Sequence, residues 1–377
     1  MEIEVNHKTK DFKSYRALRV KSLFNVDRAD TWKRTAVIPI DGEEWQIGLI
    51  VGASGTGKTS LGKSFFKDNK IYNPYGGWDN SKPIVDCISP DGSFEEVTGA
   101  LASVGLGDVP SWLKPFNALS NGQQFRAGMA RLIVDAPEEV VVDEFTSVVD
   151  RQIAKIGALA FAKGWRRNKG KKIVLLSPHY DIIEWLQPDW VYNTTTQELK
   201  KKDFPERPKI KLDIFKTSGT YWKYFKEHYY LDLKHPPCAE YFVGTVNGEL
   251  VCHAAVMPLF TANAYRASRL VVMPEWQGAG VGTTFLNQVM QYHLDGHGRK
   301  NKKFHTFFHT SHPQLANYLR ASSKWEQTSA RLYGANKKRC IESIIKNGKK
   351  GTITGGGYGG HFRAIQGFKF LGNGEKF

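Results

Sequence analysis

The chain is predicted to be α/β, built from an α/β domain with a mixed sheet followed by an α+β domain. Three observations predict this. A glycine loop at 52–59 sits between an apolar strand and a helical segment, a second strand–loop–helix unit lies at 277–282, and the charge balance changes abruptly at residue 200. Strand, glycine loop and helix in series is the arrangement that aims backbone N–H groups and a helix N-terminus at an anion. With 377 residues, 41% of them hydrophobic and 24% charged, the chain has the length of two or three domains and an ordinary globular composition.

The first loop, Gly52-Ala53-Ser54-Gly55-Thr56-Gly57-Lys58-Thr59, fits G-x-x-x-x-G-K-[ST] at every fixed position. It follows Trp45-Gln-Ile-Gly-Leu-Ile-Val51, an apolar run that reads as a buried strand. Gly52, Ser54, Gly55, Thr56, Gly57, Lys58, Thr59 and Ser60 are therefore candidate triphosphate-binding residues, with Lys58 on the outer phosphates and the Thr59 hydroxyl on Mg²⁺. The run Val140-Val-Val-Asp143-Glu144 reads as a strand ending in two carboxylates. Asp143 would hold Mg²⁺ and Glu144 would polarise the attacking water.

Leu119-Ser120-Asn121-Gly122-Gln123 resembles the ABC-ATPase signature Leu-Ser-Gly-Gly-Gln with Asn in place of one Gly, and it opens a helical segment. Ser147-Val-Val-Asp150 resembles the D-loop of that family, and His179, after the strand Lys172–Leu176, occupies its switch-histidine position. The resemblance implies ATP and Mg²⁺ as ligands and a homodimer clasped around two nucleotides. Ser120, Gly122 and Gln123 would meet the nucleotide in trans, and His179 would sense it in cis. The chain departs from the family in having no glutamine between Leu61 and Leu119, so the Q-loop residue is replaced, and in a shortened Lys58–Ser120 interval. Together these argue against a transporter subunit. No run approaches the ~18–20 apolar residues of a membrane span, and the N-terminal residues lack a signal peptide's apolar core. The expectation is a cytoplasmic protein with no membrane partner. The four cysteines are too scattered for a zinc or disulfide pattern and are expected to be reduced.

Up to residue 199 there are 25 Lys and Arg against 25 Asp and Glu; from residue 200 onward there are 28 against 12, so the entire +16 excess lies in the second part. The changeover falls in Lys200–Lys209, a basic stretch with two prolines. The predicted division is an ATPase domain over 1–199, a linker over 200–210 and a second domain over 211–377. A helical run over Tyr221–Leu231, a hairpin turning at Asn247-Gly248 and a strand over Ser268–Met273 precede the second loop.

At that loop the chain resembles the GNAT acetyltransferases, whose Gln/Arg-x-x-Gly-x-Gly/Ala motif is met by Gln277, Gly280 and Gly282. The resemblance implies acetyl-CoA as acyl donor. Its pyrophosphate would lie on the N–H groups of Gly278, Ala279, Gly280, Val281, Gly282 and Thr283, and its pantetheine arm would pair with the backbone from Leu270 through Val272 to Met273. Tyr318 takes the position of the acid that reprotonates the thiolate. Glu275, His253, His309 and His312 are the candidates for the base, Glu275 the weakest of them. Residues 331–360 carry seven Lys and Arg against Glu342, followed by glycine and aromatic residues. That composition suits phosphate contact and base stacking, so nucleic acid is the expected partner, DNA ahead of RNA. The second domain also resembles the GNAT-related Mom-type enzymes of phages, which modify DNA bases, in domain type, the Ser311-His312-Pro313 helix start and basic character. Transfer to a protein or small amine, and an ABC-type DNA-maintenance ATPase whose GNAT fold only binds ligand, are the alternative readings.

Overall fold

The computed structural model describes residues 2–8, 10–25, 31–66, 71–201, 203–231, 236, 238–259, 262–332 and 364–372. The basic, glycine-rich segment over 333–363 lies outside the described residues.

The first part contains β1 (Glu2–Lys8), α1 (Tyr15–Phe24), β2 (Thr31–Val37), β3 (Ile47–Val51), α2 (Lys58–Lys63), β4 (Ile71–Tyr72), α3 (Ile84–Cys87), α4 (Phe94–Ser103), α5 (Val109–Trp112), α6 (Asn121–Asp135), β5 (Glu139–Val142), α7 (Arg151–Trp165), β6 (Lys172–Ser177), α8 (Ile183–Leu186), β7 (Trp190–Asn193) and β8 (Glu198–Lys201). β1 and β2 form their own two-stranded antiparallel sheet. The main sheet has the order β4-β5-β6-β3-β7-β8, parallel except for β8. All five residues of β3 are buried, as a central parallel strand covered on both faces requires.

The second part contains β9 (Asp213–Thr217), α9 (Trp222–Phe225), β10 (Glu240–Val246), β11 (Glu249–Leu259), β12 (Ala264–Val272), α10 (Val281–Leu294), β13 (His305–Thr310), α11 (Pro313–Ala321), β14 (Trp325–Arg331) and β15 (Ile365–Phe370). Its sheet has the order β14-β15-β13-β12-β11-β10-β9, and β12 with β13 is the parallel pair. The predicted hairpin forms between β10 and β11, with Asn247 and Gly248 both at positive φ. The expected helix over Tyr221–Leu231 shortens to α9 between 3-10 turns. Its aromatic residues are weak helix formers, and only Trp222 and Phe225 are buried.

β12 and β13 pair only from Ala264↔His305 to Ala267↔Phe308, although β12 runs on to Val272 and β13 to Thr310. Beyond Ala267 the two strands part, which opens a wedge in the sheet. On the other side of β12 the ladder with β11 slips between His253 and Ala255, and Arg269 adopts φ +54, so the strand bends there.

The two parts dock closely. Ile156 of α7 belongs to the hydrophobic core of the second part. A Cβ on Gly105 would stand 2.2 Å from the Gln277 carbonyl oxygen, and Gly105 has φ +84, so only glycine fits between the backbones there. Among the described residues no helix is long and apolar enough to cross a membrane.

Candidate functional sites

The first site gathers around the loop between β3 and α2. Gly55 and Gly57 take the positive φ values that curl the backbone. Lys58 is buried, and its Nζ donates to the carbonyls of Gly52 and Ala53 at 2.8 Å each. The Thr56 hydroxyl donates to Ala53 O at 2.8 Å, while Ser54 and Thr59 remain exposed. Strand β5 stops at Val142, one residue short of the expected carboxylates. Asp143 and Glu144 stand in the following turn, where the Glu144 N–H donates to Asp143 Oδ1 at 2.8 Å and Glu144 has φ +55. His179 lies below the usual histidine range, first through burial, then through Arg151, with Glu144 opposing and Lys58 adding to the shift. Lys58 and Glu144 thus both act on His179, although the three arise from the start of α2 and from two separate loops. Loop N–H groups, an ammonium, the Thr59 hydroxyl and the Asp143 carboxylate are a donor set of hard oxygens and cations that fits a Mg²⁺-nucleotide.

Sequence reasoning left the Q-loop position without a residue. Tyr75, three residues beyond β4, stands within electrostatic reach of Glu144. Its hydroxyl is buried with no hydrogen-bond partner among the described residues, and its pKa is pushed up to about 12, by burial first and then by Glu144.

Ser120 caps α6 in a reciprocal box with Gln123. The Ser120 N–H donates to Gln123 Oε1 at 3.0 Å, and Ser120 Oγ accepts from the Gln123 N–H. Ser120 itself is exposed and Gly122 half-buried. The Gln123 Nε2 donates inward to Ser111 Oγ at 2.8 Å. Ser111 in turn donates to Asp108. The neighbouring Gly107 donates its N–H to Gln277 Oε1 at 3.3 Å, and its carbonyl lies 3.2 Å from His312 Nε2. Six residues into α6 from the cap, the buried Arg126 uses one nitrogen to reach both Gly105 O and Pro274 O at 2.7 Å. A polar chain therefore runs from the residues at 120–123 to the glycine loop of the second part.

The second site is a cavity of about 1010 Å³ at the junction of the two parts. The wedge of β12 from Ser268 to Val272 lines it, together with Gln277, Gly278, Gly280, Gly282 and Thr283, and α11 contributes His312 and Tyr318. Leu270 and Val272 are both in that wall. Ala279 and Val281 turn their side chains into the hydrophobic core, which leaves the loop only their backbones. The Gln277 amide locks the loop by donating to Val272 O at 3.0 Å while accepting from Gly107. Gly278 has a cause outside its own loop: a Cβ there would lie 2.9 Å from the Ala160 methyl of α7. Tyr318 is exposed, with Asn287 Nδ2 at 3.5 Å from its hydroxyl. A long wedge with free strand edge ending at a glycine loop and the start of a 14-residue helix fits an extended thiol ester bearing a pyrophosphate.

Of the candidate bases, the structure separates two from two. His253 is fully buried beneath Trp222, Phe225 and Tyr241, with Nδ1 3.2 Å from Arg269 O, and does not line the cavity. Glu275 acts electrostatically on Arg126 and also lies outside it. His309 and His312 line it. The His309 pKa is pushed down to about 4, by burial first and then by the cations of Arg266 and Arg331. The His312 pKa is lowered by burial, and its Nδ1 caps α11 by accepting from the Leu315 N–H at 3.3 Å. Because the folded pKa of His309 lies below its unfolded value of 6.5, its contribution to stability is complete above pH 6.5. It is lost as pH falls toward about 4. Thermal denaturation at stepped pH should show a shallower decline over that window in His309→Gln than in the wild type. Equal slopes would contradict the assignment.

Fold and sites together define a two-domain α/β protein, an ABC-type P-loop ATPase domain followed by a GNAT domain. Residues 181–320 match the family model described as the Acetyltransferase (GNAT) family. The match begins within the ATPase-side strands and stops before β14 and β15. The chain is similar to a phosphonates import ATP-binding protein of a Synechococcus species, 40% identical over 80 residues, which cover 20% of this chain and 29% of that one. An energy-coupling factor transporter ATP-binding protein of Levilactobacillus brevis is 31% identical over 104 residues, covering 28% and 36%. The chain thus spans about a third of the length of these relatives. Among solved structures, part of an ABC transporter complex from Clostridium perfringens is 20% identical, covers 39% of this chain and 72% of its own, and has a TM-score of 0.32. A dimeric ATP-binding cassette bound to ADP and phosphate is 15% identical, covers 54% and 100%, and has a TM-score of 0.39.

Proposed function

We propose that this chain is a cytoplasmic, homodimeric ATPase and acyltransferase that moves an acetyl group from acetyl-CoA to a nucleic-acid acceptor, with DNA base modification the favoured outcome. The observation that carries this reading is the cavity itself. Both domains wall it, and among the described residues Lys163, Arg167, Arg266, Arg269 and Arg331 line it against a single carboxylate, Asp108. Such a wall favours anionic ligands, and a polyanion with stackable bases suits the adjoining Tyr229 and Tyr230. The proposed division is ATPase residues 1–199, linker 200–210 and acyltransferase residues 211–377.

ATP with Mg²⁺ supplies the γ-phosphoryl group to the first site, and acetyl-CoA supplies a thioester carbonyl to the second. In the first, Lys58 and the loop N–H groups of 54–59 hold phosphates, Thr59 and Asp143 hold Mg²⁺, Glu144 orients water and His179 reports the γ-phosphate. Ser120 and Gly122 of a second copy complete the site. In the second, the N–H groups of 278–283 and the free edge of Leu270–Val272 orient the donor. An acceptor amine forms its bond to the acyl carbon as the carbon–sulfur bond breaks. His309, held neutral, takes the amine proton and Tyr318 returns one to the sulfur, whereas both nitrogens of His312 are already engaged, by the Leu315 N–H and Gly107 O. The chain from Gln123 through Ser111 to Gly107 and Gln277 supports a reading in which closure of the ATPase dimer adjusts the donor loop.

Thiol release from acetyl-CoA should be measured against DNA, tRNA, peptides and polyamines, with and without ATP and Mg²⁺. Release that depends on nucleic acid and rises with ATP is the expected result. Turnover confined to peptides or polyamines would overturn the acceptor assignment.

A further inference from the structure

Helix α7 turns one face toward the GNAT domain. Ile156 sits in that domain's core, and Ala160 abuts Gly278. The same face continues at i+7 and i+11 from Ile156 to Lys163 and, just beyond the last turn, Arg167. Both line the cavity at its ATPase-side wall. At 1.5 Å per residue they stand about 4.5 and 10 Å farther along the axis than Ala160, the residue that touches the glycine loop.

Neither cation has an acidic partner among the described residues. Arg207, from the linker, is close enough to Lys163 to depress its pKa after burial has done so, and Arg207 Nε is buried with no hydrogen bond. Asp108, the one carboxylate among the described residues of the cavity wall, already accepts from Ser111. Lys163 and Arg167 thus stand at one end of a cavity whose middle is the donor loop, with the Arg207 cation near Lys163. Resting on the reading of that loop as an acetyl-CoA site, the charge that would come next along the bound molecule after its pyrophosphate is the 3′-phosphate of the adjoining ribose.

We propose that Lys163 and Arg167 of the ATPase domain, with Arg207 beside them, bind the 3′-phosphate of acetyl-CoA, so that the acyl donor is held by both domains at once. Helix α7 begins at Asp150, which caps it by accepting from the Gln152 N–H at 2.8 Å. One rigid helix therefore joins the D-loop to the donor's phosphate, and nucleotide-driven movement of α7 would be felt as a change in donor affinity.

Titration calorimetry on the full chain should compare acetyl-CoA with 3′-dephospho-acetyl-CoA. Two charge-assisted contacts to a phosphate dianion predict a preference of at least about tenfold for acetyl-CoA, shrinking as salt is added. Lys163→Gln/Arg167→Gln should bind both compounds with the affinity the wild type shows for the dephospho form, and binding of an ATP analogue should be retained as evidence of folding. If the double variant loses that as well, Arg167→Gln alone, at an exposed position, should lose part of the preference. A wild type that binds both compounds equally, or a variant that keeps the preference, overturns the proposal. A wild type that binds neither removes the acetyl-CoA reading itself and the proposal with it.

Discussion

Glu144→Gln is expected to lower ATP turnover by about 10²- to 10⁴-fold, the range for removing a residue that positions or deprotonates the attacking nucleophile. The side chain stands in the turn after β5, exposed, with its backbone at φ +55. Glutamine keeps its length and its place but cannot take a proton. Nucleotide binding should survive, because Lys58, Thr59 and Asp143 are untouched. The dimer should therefore accumulate with ATP bound, visible as a doubled mass by light scattering only when ATP and Mg²⁺ are present. Tyr75 offers a control. Tyr75→Phe removes a buried, unpartnered hydroxyl beside Glu144, so it should leave stability unchanged or slightly raised. A turnover deficit in a folded Tyr75→Phe protein would then assign the hydroxyl a part in positioning. Unimpaired hydrolysis in Glu144→Gln would remove Glu144 from the reaction.

Gly105→Ala should uncouple the two domains. The new methyl would stand 2.2 Å from Gln277 O and 2.7 Å from Gln277 C, both backbone atoms that no rotamer change can move, and it would sit on a residue at φ +84. The donor loop must shift, so acetyl-CoA affinity should fall by at least about tenfold. Stability should drop by about 1–3 kcal/mol, the usual cost of strain at such a position. ATP affinity should hold, since Gly105 lies in the turn after α4 and away from the 52–59 loop. Arg126→Met is the milder contrast. It loses the bonds to Gly105 O and Pro274 O but also removes a buried charge whose pKa is pushed down to about 10 by burial, with only Glu275 opposing. If Gly105→Ala bound acetyl-CoA normally, the docking of the two domains would be irrelevant to the donor site.

The two glycine loops, the carboxylate pair and the signature were legible because each is a short run whose chemistry depends on local order. Gly55 and Gly57 must curl, Asp143 and Glu144 must follow a buried strand, and Ser120 must cap a helix, wherever the rest of the chain goes. The parting of β12 from β13 was not legible. It depends on where a parallel ladder stops pairing, which no local pattern in Ser268–Val272 announces. Base candidates within one stretch of sequence were likewise inseparable until the fold buried His253 under three aromatic rings and left His309 and His312 in the cavity wall.

By itself, then, the order of residues determined the two glycine loops, the class of the domain around each, and the placing of the basic excess after residue 200. The tertiary structure decided that the sites are not separate. Gln277, which the motif offers to the ligand, spends its amide on Val272 and Gly107, and Gly278 is small because Ala160 lies against it. Gln123 turns inward to Ser111 rather than outward. The reason is physical: a short motif specifies backbone shape through φ and hydrogen bonding within a few residues, whereas the direction a side chain faces is set by which distant surface packs against it.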